Sequence, residues 1–118
     1  MSNEPVKPVR LWEKEFGVDY AVPEAFSTDP RLVDISWHND ICPSFIVASD
    51  DDPEGVWRIW VEHVNPELRE YPEQPRIFVS SLNEEGLWFQ SEDDVEGAIA
   101  ELLKQVAARK EVLRAESH

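Results

Sequence analysis

Between Val56 and Val64 apolar and polar side chains alternate with a period of two, the pattern of a strand with one covered face. Trp57, Ile59, Val61 and His63 share one side of it, and Val56, Arg58, Trp60, Glu62 and Val64 the other; the first set is assigned to the core. Upstream, Ser44 to Ser49 carries the run Phe45-Ile46-Val47, rich in β-branched and aromatic residues, and Leu32 to Trp37 is a weaker strand signal. Downstream, Arg76 to Leu82 and Gly86 to Gln90 read as two strands joined by a tight turn at Asn83 to Gly86, where Asn and Gly accept positive φ. Asn65-Pro66 offers an N-cap followed by proline at the first helical position, so Pro66 to Glu70 is expected to form one helical turn. Ser91-Glu-Asp-Asp94 reads as a helix start, with the serine hydroxyl as the expected cap and three carboxylates where the helix dipole favours negative charge. After it the period changes to that of a helix. Val95, Ala98, Ile99, Leu102, Val106 and Leu113 form its apolar stripe, and Lys104, Arg109, Lys110 and Arg114 gather toward its end.

Strands in hairpin order followed by one amphipathic helix predict an α+β domain: an antiparallel sheet of three to five strands with the C-terminal helix packed on one face. An all-β half-barrel would need a second apolar sheet face, for which the Trp60 side is the only candidate. Residues 32–118 are read as this single domain and residues 1–31 as an N-terminal arm and irregular wrap. Within the latter, residues 1–9 are expected to be loose. Trp12 and Phe16 lie four apart on a short helix that Gly17 ends, and residues 19–32, with Pro23 and Pro30, read as irregular.

Composition narrows the function classes. The 118 residues include 25 Asp and Glu against 11 Lys and Arg, a net charge of −14, of which residues 1–100 carry −15 and residues 101–118 carry +1. Such a chain is a poor direct ligand for nucleic acid or for an anionic membrane, since both attract Lys and Arg. It contains five Trp and is 42% hydrophobic, too apolar for a disordered acidic tail. A single cysteine, Cys42, forms no internal disulfide, and the N-terminus shows neither a basic head nor an apolar run, so a cytoplasmic setting is expected. No glycine pattern for nucleotides, paired zinc cysteines or nucleophile elbow occurs, and no cofactor is expected.

Reactive side chains concentrate at Ser36-Trp-His38-Asn39-Asp40-Ile-Cys42-Pro-Ser44. His38, Asp40 and Cys42, joined by His63 from the strand, have the donor types of a zinc site, and Cys42 with a histidine base and Asp40 or Asn39 has the three roles of thiol catalysis. The spacing fits neither class diagnostically, and a structural turn stiffened by Pro43, with Cys42 packed as a small apolar group, explains the same residues. Asp50-Asp51-Asp52 with Glu54 lacks the alternate spacing and distal glutamate of a calcium loop and reads as a solvated turn. The non-core face of the best strand is a different matter. Trp60 beside Arg58 and Glu62, with Phe78 or Trp88 on the same side, makes either an aromatic binding patch ringed by charge, a surface through which two copies pair, or a face that the N-terminal aromatics Trp12, Phe16, Tyr20 and Phe26 fold over.

The tract Asp34 to Ser44, followed by Trp57-Arg-Ile-Trp60-Val-Glu62-His63, Asn65-Pro66 and Arg69-Glu70, resembles a group of small acidic proteins of bacteria and their phages, over residues 34–100. That group has no established activity, so the resemblance implies a bacterial or phage source and a cytoplasmic setting but no site. The expected function is a non-enzymatic acidic module that binds a protein, a regulator or inhibitor of a basic or nucleic-acid-binding partner. Trp60, Trp88, Arg58 and Glu62 would make contact, and Asp50, Asp51 and Asp52 would supply field. The alternative is a metal- or thiol-dependent activity at His38, Asp40, Cys42 and His63.

Overall fold

The computed structural model describes residues 10–116, with side-chain environments for residues 10–109. The loose arm expected over residues 1–9 and the side chains of Lys110, Leu113 and Arg114 lie outside these. A five-stranded antiparallel meander runs in chain order: β1 (Leu32–Asp34), β2 (Ser44–Val47), β3 (Trp57–Val61), β4 (Ile77–Ser81) and β5 (Phe89–Ser91). Two short helices precede it, α1 (Leu11–Phe16) and α2 (Glu24–Thr28), and α3 (Val95–Glu116) follows it and packs across β2 to β5. The fold is therefore α+β, with the C-terminal helix on one sheet face.

That face holds the main core. Phe45, Val47, Trp57, Ile59, Val61, Ile77 and Val79 from the strands meet Ala98, Ile99, Leu102 and Val106 of α3, the helical stripe seen in the sequence. Trp12, Val22 and Phe26 complete the same cluster, so residues 10–31 bring three buried side chains to it. Phe26 stacks on Phe45 at 5.5 Å, and Trp12 is fixed twice: its backbone N–H donates to Asp34 and its indole N–H to Ser27. Gly17 ends α1 as expected, at φ 106°. The helix α2, by contrast, falls in a stretch expected to be irregular; a five-residue helix is too short to show a period, and Pro23 sits at its N-cap.

Local capping sets the corners. The Asp52 carboxylate is buried and accepts from the backbone N–H of Val56 and Trp57, closing the β2–β3 turn, and Gly55 turns there at φ 63° with Ile46 too close to admit a Cβ in comfort. Asp94, not Ser91, caps α3: its Oδ1 accepts from Gly97 N–H, while the Ser91 hydroxyl accepts from Asp93 and Asp94 one turn earlier. The β4–β5 connection is longer than the tight turn expected, because β5 begins only at Phe89, opposite Val79.

The second sheet face is covered. Trp60 and Phe78 are register partners that stack at 6.3 Å, and with Cys42 they form a smaller buried cluster flanked by Tyr20 and Leu87. The Arg58 guanidinium lies over the Trp60 ring at 5.7 Å, and the indole N–H donates to Ser80. Among the described residues, no helix is long and apolar enough to cross a membrane.

Candidate functional site

The expected aromatic patch is not at the surface. Trp60 is 8% exposed and Glu62 3%, so neither side chain presents contact area, and Asp52 is consumed by its turn. Trp88 stands on the opposite side from Trp60, meeting Trp57 edge-on at 5.0 Å within the main core. Arg58, half-buried, spends its Nε on the Gly55 carbonyl. Of the alternatives for this face, the structure has the covered one. The cover comes from Tyr20, Cys42 and Leu87, while Trp12 and Phe26, two of the aromatics expected there, pack into the main core instead.

Nor do His38, Asp40, Cys42 and His63 converge. Among the described residues no group of three or more His, Cys, Asp or Glu could hold a metal ion. His38 is solvent-exposed, beside Trp37 and 3.4 Å from Glu15. Cys42 is fully buried, and burial, reinforced by the Glu62 charge, pushes its thiol well above the ordinary range; it therefore stays protonated and weakly nucleophilic. His63 has lost its basic nitrogen to the backbone. Asn65 N–H donates to Nδ1 at 2.8 Å, which leaves the proton on Nε2, where it is given to Asp19 at 2.8 Å. A ring so engaged has no lone pair with which to take a substrate proton. The resulting hydrogen bond holds the Asp19 carboxyl below its usual range, and Tyr20 packs edge-on against the ring at 4.8 Å.

What the structure does concentrate is a buried polar base beneath the loop joining β3 to β4. This loop closes where Glu62 N–H donates to the Arg76 carbonyl. Inside it lies Arg69, whose side chain is 1% exposed. Its Nε donates to the His63 carbonyl at 2.7 Å, Nη1 to Gln74 at 3.3 Å and Nη2 to Val64 at 3.3 Å, and the fork holds both Glu92 oxygens at 2.9 and 2.7 Å. One guanidinium thus ties both ends of the loop to each other and to the approach of α3. Arg69 in turn holds the Glu92 carboxyl below its normal range. Arg76 repeats the device at the sheet, donating to the Glu62 carbonyl and to those of Tyr20 and Ala21, so it fastens the N-terminal segment over the strand ends. Glu62 supports the loop from below. Its Oε2 accepts from Glu70 N–H at 2.9 Å, while Oε1 is buried without a partner. Burial outweighs the hydrogen bonding and raises the Glu62 carboxyl.

Because charged groups fill the inside of the loop, its apolar side chains point out. Val64, Leu68 and Tyr71 are 47%, 58% and 53% exposed. Asn65 caps the turn Pro66–Leu68 as its sequence suggested, accepting from Glu67 N–H. Glu67, Glu70 and Glu73 are interspersed on the same exterior, and a cavity of about 250 Å³ lies among Glu70, Tyr71, Pro72, Glu73 and Gln74. Tyr20 is among the aromatics expected over the Trp60 face and does pack there, whereas nothing local in the sequence gave Arg69, Arg76 or Asp19 a role, or Glu92 one beyond helix-start charge. A connection this long between adjacent antiparallel strands was the one signal that marked the loop.

The chain matches no protein-family model, no curated protein and no solved structure.

Proposed function

We propose that this protein is a non-enzymatic acidic module that binds a basic protein, as a regulator or inhibitor of that partner. The observation that carries this is how its charges are divided between inside and outside. Among residues 10–109, thirteen Asp and Glu are exposed against three Lys and Arg. Two of the remaining arginines, Arg69 and Arg76, are buried in carbonyl and carboxylate contacts, and exposed Arg31 is paired with Asp29. The field outside is thus more one-sided than the composition alone indicates, and a field of one sign steers partners of the other. Asp50, Glu54, Glu84 and Glu85 contribute to it from the far turns.

A reducing, cytoplasmic setting suits the buried free thiol of Cys42. The test is affinity capture with the full chain at low and at high salt, with DNA as competitor. Retention of a defined basic protein that high salt releases supports the module, and release by DNA identifies the partner's nucleic-acid surface as the target. Retention indifferent to salt, or none at low salt, refutes it.

A further inference from the structure

The β3–β4 loop combines three properties that a loop serving only as a connection has no reason to combine. First, it is held from within by charge. Arg69 binds three of the loop's own carbonyls together with Glu92, and Glu62 binds the Glu70 amide, so the backbone of residues 63–74 is tied down from inside before any ligand arrives. Fixing a binding loop in advance removes the ordering cost that would otherwise be subtracted from affinity. Second, the loop turns Val64, Leu68 and Tyr71 outward, each about half exposed. Tyrosine is among the side chains enriched where interfaces carry their binding energy. Third, the polar residues between these apolar ones are of a single sign: Glu67, Glu70 and Glu73, none with an ion-pair partner among the described residues.

The cavity among Glu70, Tyr71, Pro72, Glu73 and Gln74 limits the occupant further. At about 250 Å³ it is smaller than the roughly 300–1,000 Å³ of small-molecule sites, a size for one long side chain. Two carboxylate-bearing residues and an aromatic ring line it, a combination that attracts ammonium or guanidinium by charge and by the ring's quadrupole.

We propose that the β3–β4 loop is a docking surface for a basic amphipathic segment of a partner protein, its apolar residues lying on Val64, Leu68 and Tyr71 and a lysine or arginine entering the cavity beside Tyr71. This rests on the acidic-module reading and gives it a location and a recognition chemistry.

The experiment is a titration of the ¹⁵N-labelled full chain with a synthetic peptide carrying leucine on one helical face and lysine elsewhere, at low salt. Two control peptides replace the leucines by serine or the lysines by glutamate. Amide shifts centred on residues 64–74 are expected, with affinity lowered about tenfold or more in Leu68→Ser/Tyr71→Ala and in Glu70→Gln/Glu73→Gln, the scale of interface hot spots. The distant Glu84→Gln/Glu85→Gln is expected to bind within about twofold of the parent, as a rim charge outside the contact does. If the peptide binds but its shifts spread over all the acidic turns, or the serine peptide binds equally well, the docking surface is overturned while the acidic module stands. If the lysine peptide does not bind at all, both fall. Shifts at residues 64–74 that grow with protein concentration, without peptide, would assign the surface to a second copy of this chain and overturn the proposal.

Discussion

Replacing Arg69 by methionine tests the polar base beneath the loop. Methionine keeps much of the side-chain volume and removes five hydrogen bonds. Of the acceptors released, the carbonyls of Val64 and Gln74 belong to exposed residues and regain water, and the Glu92 side chain is 59% exposed, so its ion pair is worth about 1 kcal/mol or less after solvent screening. The His63 carbonyl belongs to a buried residue, and leaving it unsatisfied costs about 1–3 kcal/mol. Against this stands the relief of no longer burying a guanidinium, which in some proteins cancels the loss. Here every nitrogen of that guanidinium is engaged, so the bonds outweigh the relief and the net loss is about 1–3 kcal/mol. For a domain of this size the melting temperature should fall by about 4–12 °C. Thermal and urea unfolding followed by tryptophan fluorescence would read it. Arg69→Lys keeps the charge but not the planar fork, and should recover only part of the loss. A melting temperature within about 2 °C of the parent, or a full rescue by lysine, would refute the staple, since either outcome means that geometry contributes nothing.

Trp60→Ala should cost about 3–5 kcal/mol in urea unfolding, as deletion of a buried indole does; an unchanged midpoint would return Trp60 to the surface. Glu62→Gln should alter the pH dependence of stability in a defined direction. Burial raises the folded-state Glu62 carboxyl above its reference of 4.5, so its contribution is present below that value and is lost as pH rises through the raised one. Glutamine does not titrate, so the stability of the variant relative to the parent should increase as pH rises from about 4.5 toward neutrality. A difference that stays flat or shrinks over that range would mean that the Glu62 carboxylate is not penalised by the fold.

Much of this architecture is legible in the sequence because it is set by local pattern. The stripe Ala98-Ile99-Leu102-Val106, the alternation Trp57-Ile59-Val61 and the Asn65-Pro66 turn each declare themselves within a few residues. The coverage of the second sheet face is less local. Its trace is that the facing runs Ile59-Trp60-Val61 and Ile77-Phe78-Val79 are apolar at every position, as strands buried on both faces are. The residues that cover it, Tyr20, Cys42 and Leu87, lie far apart in the chain and carry no pattern in common. The polar base was hidden for a different reason. An arginine in a polar stretch reads as surface, and only the chain's return at Gln74 and Glu92 surrounds Arg69 with acceptors. Asp52 and Asp94 were read as field and as helix-end charge, whereas each is used by its own turn's amides.

The central claim is that the β3–β4 loop is a fixed presenting surface held from inside. The most direct test is amide hydrogen exchange on the free protein, residue by residue. The Glu70 amide, bonded to the buried Glu62 carboxylate, should exchange far more slowly than expected for a surface loop, and Glu62→Ala should abolish that protection while leaving β3 and β4 protected. Exchange of the Glu70 amide at the rate of an open chain in the parent protein would contradict the account, because such a loop would have no fixed surface to present.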